Sequence, residues 1–154
     1  MNIMKSLIAV FILFALLLQG CSAMPKKDLL AQRDEAYFLY DEGSYSQAIA
    51  KLEELVNAVP KDAELHFKLG NAYTKAALYE KAVEQYTEAL VREPKLGKAW
   101  YNLSKVRLRQ AASTLVEMQR FADRDDPAFA LGKELAEGLL ELIGSNDAVT
   151  PKTQ

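Results

Sequence analysis

Cysteine, histidine and tryptophan each occur once in the 154 residues. One cysteine, Cys21, excludes an intrachain disulfide and a cysteine-built zinc cluster. One histidine, His66, excludes a histidine-rich metal site. No serine stands at a suggestive spacing from it, so a Ser-His-Asp arrangement has no support. A glycine-rich phosphate loop and an HExxH motif are both missing. Charge of one sign is lacking too: 19 Lys and Arg face 21 Asp and Glu, a net of −2, which gives no case for nucleic acid as a main partner. Long apolar runs are confined to one short stretch, so the chain is no polytopic membrane protein. Its 50% hydrophobic content is nevertheless too high for a disordered chain, and its length suits one domain. These shortages leave a binding module rather than an enzyme, with no metal, no cofactor and no small-molecule substrate expected.

The apolar stretch is Leu7–Leu18, 12 residues behind the single positive charge of Lys5. It is too short to cross a hydrocarbon core of about 30 Å and has the length of a signal-peptide core. Leu18-Gln19-Gly20-Cys21 follows directly and resembles the lipobox of bacterial lipoproteins. The resemblance implies cleavage before Cys21 and lipidation of its sulfur, the only modification expected. A thiolate is the nucleophile such a transfer needs. Ser22, where an Asp would signal retention, implies the periplasmic face of the outer membrane. The chain then divides into a leader over 1–20, a lipidated tether over 21–27, a folded part over 28–144 and a polar tail over 145–154. Without Lys5 the net charge becomes −3.

Repetition organises the folded part. Residues 63–96 carry Leu69-Gly70, Tyr73, Ala82, Tyr86, Ala89 and Pro94 at the spacings of a tetratricopeptide repeat, with His66 in the place of its Trp. One period of 34 residues earlier stand Ala36, Gly43, Tyr45, Ala48, Leu52, Leu55 and Pro60. One period later Trp100, Leu103 and Ser104 match, and then the pattern decays. Residues 97–127 read either as a degenerate third repeat or as one long helix from Lys98 to Arg124. The stripe Leu108, Ala111, Leu115, Met118 and Ala122 runs through that stretch at helical spacing. Asp126-Pro127 opens a last helix, with Leu131, Leu135, Leu139, Leu142 and Ile143 on its inner face, Glu134, Glu137 and Glu141 outside, and Gly144 at its end. The expected fold is all-α: a tetratricopeptide helix-turn-helix solenoid with a C-terminal capping helix. Small Gly70, Ala82 and Ala89 admit close helix approach, and Leu69, Tyr73 and Tyr86 fill the space. A single helix pair cannot bury its apolar face alone, so the pairs must stack.

In such arrays the first helices of successive repeats line a concave, peptide-binding face. The family's inward positions carry over to Leu30, Arg33, Tyr37, Tyr40 and Asp41; to Glu64, Phe67, Asn71, Thr74 and Lys75; and to Lys98, Tyr101, Asn102, Lys105 and Arg109. Five basic and two acidic side chains among them make a local +3, with aromatics interleaved. That chemistry suits an extended peptide bearing carboxylates. Phe67 stands where the family's carboxylate clamp requires Lys, so C-terminal capture is not implied. The function implied is a lipid-anchored scaffold or assembly factor, holding a protein partner of an envelope machine of the pilus or secretion type. The alternative is a constitutive structural subunit of an envelope complex, for outer-membrane protein insertion or polysaccharide export, with its groove unused.

Overall fold

The spacing of small and apolar residues resolves into six helices in a computed structural model that describes residues 26–147. They are α1 (Lys26–Asp41), α2 (Tyr45–Ala58), α3 (Ala63–Lys75), α4 (Tyr79–Arg92), α5 (Gly97–Phe121) and α6 (Pro127–Asp147). Each packs on the next, and α3 also meets α5. The expected all-α solenoid is what forms. The leader, Cys21 and most of its tether, and residues 148–154 lie outside the described residues. Among the described residues no helix is long and apolar enough to cross a membrane.

The helix ends follow from local chemistry. α2 and α4 stop at Ala58 and Arg92, just ahead of Pro60 and Pro94, because the residue before proline is pushed out of the helical region. Asp62 caps α3, its Oδ1 accepting from the backbone N–H of Glu64 at 3.0 Å and of Leu65 at 3.1 Å. Asp126 caps α6 by accepting from the N–H of Ala128 at 2.8 Å, with Pro127 as the first helical residue. α1 ends in a left-handed Gly43, φ +78°, whose N–H bonds Tyr40 while that of Ser44 reaches back to Leu39. One period on, the same two bonds recur at the end of α3, but the left-handed residue there is Ala77, φ +59°.

The core is the set of residues that the repeat spacing marks. Ala36, Ala48, Leu52, Leu55, Leu69, Tyr73, Ala82, Tyr86 and Ala89 are all buried. Tyr86 of α4 lies so close over Gly70 of α3 that a Cβ at Gly70 would stand 2.7 Å from two carbons of its ring. His66 is a packing residue: its Nδ1 is 2.8 Å from Gln85 Oε1 and its Nε2 3.2 Å from the Pro60 carbonyl. The ring thereby ties α3 to α4 and to the preceding turn.

Of the two readings of residues 97–127, the structure takes the long helix. α5 runs unbroken for 25 residues, so no turn and no separate second helix interrupt residues 97–121. α6 lies against its C-terminal half instead, Gly132 of α6 meeting Met118 and Leu115 of α5. Ala112, not Ala111, is the small residue buried on that half of α5. On α6 the inward face is Gly132, Ala136, Leu139 and Ile143; Leu131 and Leu135 stand one flank away, 67% and 55% exposed. The inner contact is made by small side chains because they bring the two helix axes closer than leucines would allow. Glu134, Glu137 and Glu141 are exposed as expected. Gly144 is no cap: the helix passes through it to Asp147, taking in the first residues of the expected tail, as α1 takes in Lys26 and Lys27 of the tether.

Two substitutions test this account. Ala77→Gly relieves the left-handed alanine and raises stability by about 1 kcal/mol. Gly70→Ala drives a methyl into the Tyr86 ring and costs about 1–3 kcal/mol. Urea midpoints of the two variants against the parent chain check both signs.

Candidate functional site: the face of α1, α3 and α5

The turns joining α1 to α2 and α3 to α4 are three residues long, so α1, α3 and α5 run parallel in one layer. Their facing side chains meet at a fixed offset. Asn102 Nδ2 donates to Asn71 Oδ1 at 2.7 Å, 31 residues back in sequence. At that same offset Lys98 Nζ sits 4.6 Å from the Phe67 ring centroid and Lys68 Nζ 4.7 Å from that of Tyr37. Each inner helix thus reaches across to its predecessor by one repeat less about one turn.

Seven of the expected groove residues fall into three groups. Phe67 is core rather than groove surface: it is buried, and its ring lies 6.0 Å from Tyr86 beneath the Lys98 ammonium. A large apolar ring between two helices gains more from burial than from facing water. Arg33 and Lys98 are on the face but engaged. Arg33 donates to Asp62 Oδ2 at 2.7 Å, and Lys98 pairs with Glu64 Oε2 at 2.6 Å. Lys75, Tyr101, Lys105 and Arg109 make up the third group. Lys75 and Tyr101 are exposed, Lys105 Nζ lies 5.7 Å from the Tyr101 ring, and Arg109 lies 5.8 Å from the Tyr79 ring. Glu64 is already counted in the expected local +3, so the Lys98–Glu64 pair leaves that sum unchanged, whereas Asp62, which pairs with Arg33 from outside the set, lowers it. The other cations of the set are Lys75, Lys105 and Arg109, with exposed Asp41 nearby in the pattern.

The floor of the face is a polar chain. Asn71 Oδ1 accepts from both Asn102 and the Tyr86 hydroxyl, the latter at 2.8 Å, and Thr74 Oγ1 lies 3.0 Å from the same hydroxyl. Asn71 therefore presents its own NH2 group, and Asn102 its amide oxygen, to whatever lies above. Tyr37 and Tyr40 are half-buried, Tyr40 packing edge-on against Tyr45 at 5.6 Å. Burial raises the pKa of both phenols, and it pushes Tyr86 up to about 12. They act as neutral hydrogen-bonding groups. Among the described residues of this face, no nucleophile is hydrogen-bonded to a base. Among the described residues no cluster of three or more His, Cys, Asp or Glu side chains is placed to hold a metal ion.

Lys68 was missed, although it stands one period before Asn102, which the pattern did include. The Arg33 pairing was also missed. Asp62 was legible only as a cap; its second oxygen is taken by a residue 29 positions earlier.

Because the neutral Tyr86 phenol is favoured by the fold, its contribution is complete below pH 10 and is lost as pH rises from 10 toward 12. Urea midpoints taken across that window fall more steeply for the parent chain than for Tyr86→Phe.

Comparison with known proteins agrees with this architecture. A family model described as TPR repeat matches residues 36–76, and one described as tetratricopeptide repeat matches residues 67–122. No curated protein matches the chain in sequence. Among solved structures, the type III secretion translocator chaperone SycD of Yersinia enterocolitica superposes with a TM-score of 0.56 at 19% identity, covering 81% of this chain and 98% of its own. The Sgt2 TPR domain of Aspergillus fumigatus superposes with a TM-score of 0.53 at 23% identity, covering 86% of this chain and 91% of its own. At such identities the likeness is one of fold. The repeat signature, the packing it produces and these matches together make the chain a tetratricopeptide-repeat protein, of a family whose solenoids serve protein–protein interaction.

Proposed function

We propose that the chain is a lipid-anchored scaffold at the periplasmic face of a bacterial outer membrane. There it holds the extended, carboxylate-bearing segment of a protein partner from a pilus- or secretion-type envelope machine. The observation that carries the anchor is the sequence Leu18-Gln19-Gly20-Cys21 directly behind 12 apolar residues, five positions before a folded helix begins. The binding half is supported by Lys75, Lys105 and Arg109 on one side of a face that also offers the Asn71 and Asn102 amides. Amides bond a peptide main chain, and an arginine fork matches a carboxylate in two bonds. The preformed surface costs little ordering entropy when a partner arrives. SycD, a secretion chaperone by name, shares the fold and illustrates the kind of work such a solenoid performs.

A second reading has its own support. Leu131 and Leu135 leave an apolar flank exposed on the last helix, which suits a subunit built permanently into a larger envelope complex. Native mass of detergent extracts separates the two: a fixed stoichiometric assembly marks the subunit, and a free monomer marks the transient scaffold.

Two outcomes are expected. Cys21→Ser abolishes incorporation of labelled palmitate and releases the chain from the membrane fraction. Lys75→Glu, Lys105→Glu and Arg109→Glu together keep the helical circular dichroism but lose at least tenfold in affinity for the partner co-purified with the parent chain. Partner capture that survives the triple reversal ends the groove assignment.

A further inference from the structure

The tryptophan of the third repeat lacks the cover that its counterpart in the second enjoys. His66, one period earlier, is 4% exposed beneath Gln85 of α4. Trp100 is 52% exposed, and Ser104, the counterpart of buried Gly70, is exposed as well. α5 is unbroken, so no second helix of a third repeat lies over this level; α6, which meets Leu115 and Met118 at Gly132 and continues through buried Ala136 and Ile143, leaves Trp100 exposed all the same. A large aromatic side chain with a polar N–H is thus left in the open at one end of the solenoid. It leans toward that end, as side chains in a first helical turn do, and its Nε1 donates to the Pro94 carbonyl at 2.9 Å.

The same end carries the chain's covalent link to a membrane, if the lipoprotein reading above holds; the inference rests on that reading. α1, α3 and α5 all begin here, and the turns 59–62 and 93–96 lie side by side, joined by Arg92 bonding to the Pro60 carbonyl. Between Cys21 and Lys26 only four residues intervene, at most about 18 Å of extended chain. The charge at this end differs from that at the other. Lys61 and Lys95 project from the two turns, exposed and without an ion-pair partner among the described residues. The carboxylates of Asp62 and Glu64 are neutralised by Arg33 and Lys98, which leaves Glu93 and Asp28 as the exposed acids here. The far end carries Glu42, Asp123, Asp125 and Asp126 together with Lys75, Arg120 and Arg124, all exposed. Val91, 69% exposed in the last turn of α4, adds apolar surface at this end of that helix.

We infer that the end bearing Trp100, Val91, Lys61 and Lys95 rests on the lipid surface to which the chain is tethered. The Trp100 ring lies at headgroup depth and the two ammonium groups lie against lipid phosphates. A tryptophan with an apolar body and a polar tip favours that depth, and lysines near an anionic surface are attracted to it. The docked solenoid stands with its acidic end away from the bilayer and its binding face turned sideways, open to a partner.

Trp100 is the only tryptophan, so its fluorescence reports on this end alone. The full chain is extracted from membranes and reconstituted into vesicles of equal parts phosphatidylcholine and phosphatidylglycerol. Its emission shifts to the blue, is quenched by lipids brominated near the headgroup, and is shielded from aqueous iodide. Lys61→Glu with Lys95→Glu leaves the fold intact and lowers the docked fraction about fivefold for each lysine replaced, from about 1 kcal/mol apiece. Emission and iodide access unchanged between detergent and vesicles overturn the inference. So does a Trp100 shielded from both iodide and brominated lipid, which marks a protein contact instead. Mass spectrometry of Cys21 judges the anchor separately. A lipidated, vesicle-floating chain whose Trp100 stays open to iodide overturns the docked end and leaves the anchor standing. A chain without lipid on Cys21 overturns the anchor, and the same vesicles added to it still decide the docked end by the presence or absence of the blue shift.

Discussion

The contact of Tyr86 with Gly70 sets the geometry on which the rest depends. A tyrosine on α4 can lie flat over α3 only where α3 carries no side chain, and Gly70 provides that gap. The approach buries Tyr86 to 1% exposure and places its hydroxyl at the far side of α3, where it donates to Asn71. Asn71 then holds Asn102 of α5. One close approach in the core therefore reaches, through a hydroxyl and two amides, the floor of the face that a partner would meet. Packing and recognition are continuous here. A buried phenol must find a partner for its hydroxyl, and the partner it finds is Asn71, on the shared face of α1, α3 and α5.

The repeat is a packing rule with a vacancy at its end. In the first two repeats the second helix covers the first, and the positions equivalent to Gly70 and His66 are shielded. The third repeat keeps the first helix and lets it run on, so Ser104 and Trp100 lose their cover although their residues still match the signature. α6 restores part of the burial further along α5 by way of Gly132 and Ala136. It leaves a leucine flank exposed. A solenoid that ends must do something with its last apolar face, and this one distributes the remainder between a tryptophan at one end and leucines along the last helix.

Charge tells a parallel story. The inner face counts as basic when its residues are summed, yet the fold holds two of its cations in ion pairs of its own. Arg33 holds the cap of α3, and Lys98 holds Glu64 one repeat away while lying over Phe67. Exposed ion pairs of this kind add little stability, about 0–1 kcal/mol each, but they decide which cations are left to meet a ligand.

Much was legible in the sequence because it rests on chemistry local to a few residues or on strict periodicity. Proline ended helices, aspartate capped them, and small and large residues recurring at 34 positions named the core and the solenoid before any coordinates. Other features depended on residues far apart in the chain, and no spacing reports those. Whether Arg33 is free or bound is decided by a carboxylate 29 residues away. Phe67 faces the core rather than the groove because α4 and Lys98 close over it. The third repeat became one long helix because nothing at residues 108–113 breaks a helix, and only packing against α6 chose which of its faces to bury. Periodicity specifies which side chains can share a face; the close approach of helices from different repeats decides which of them remain there to be met.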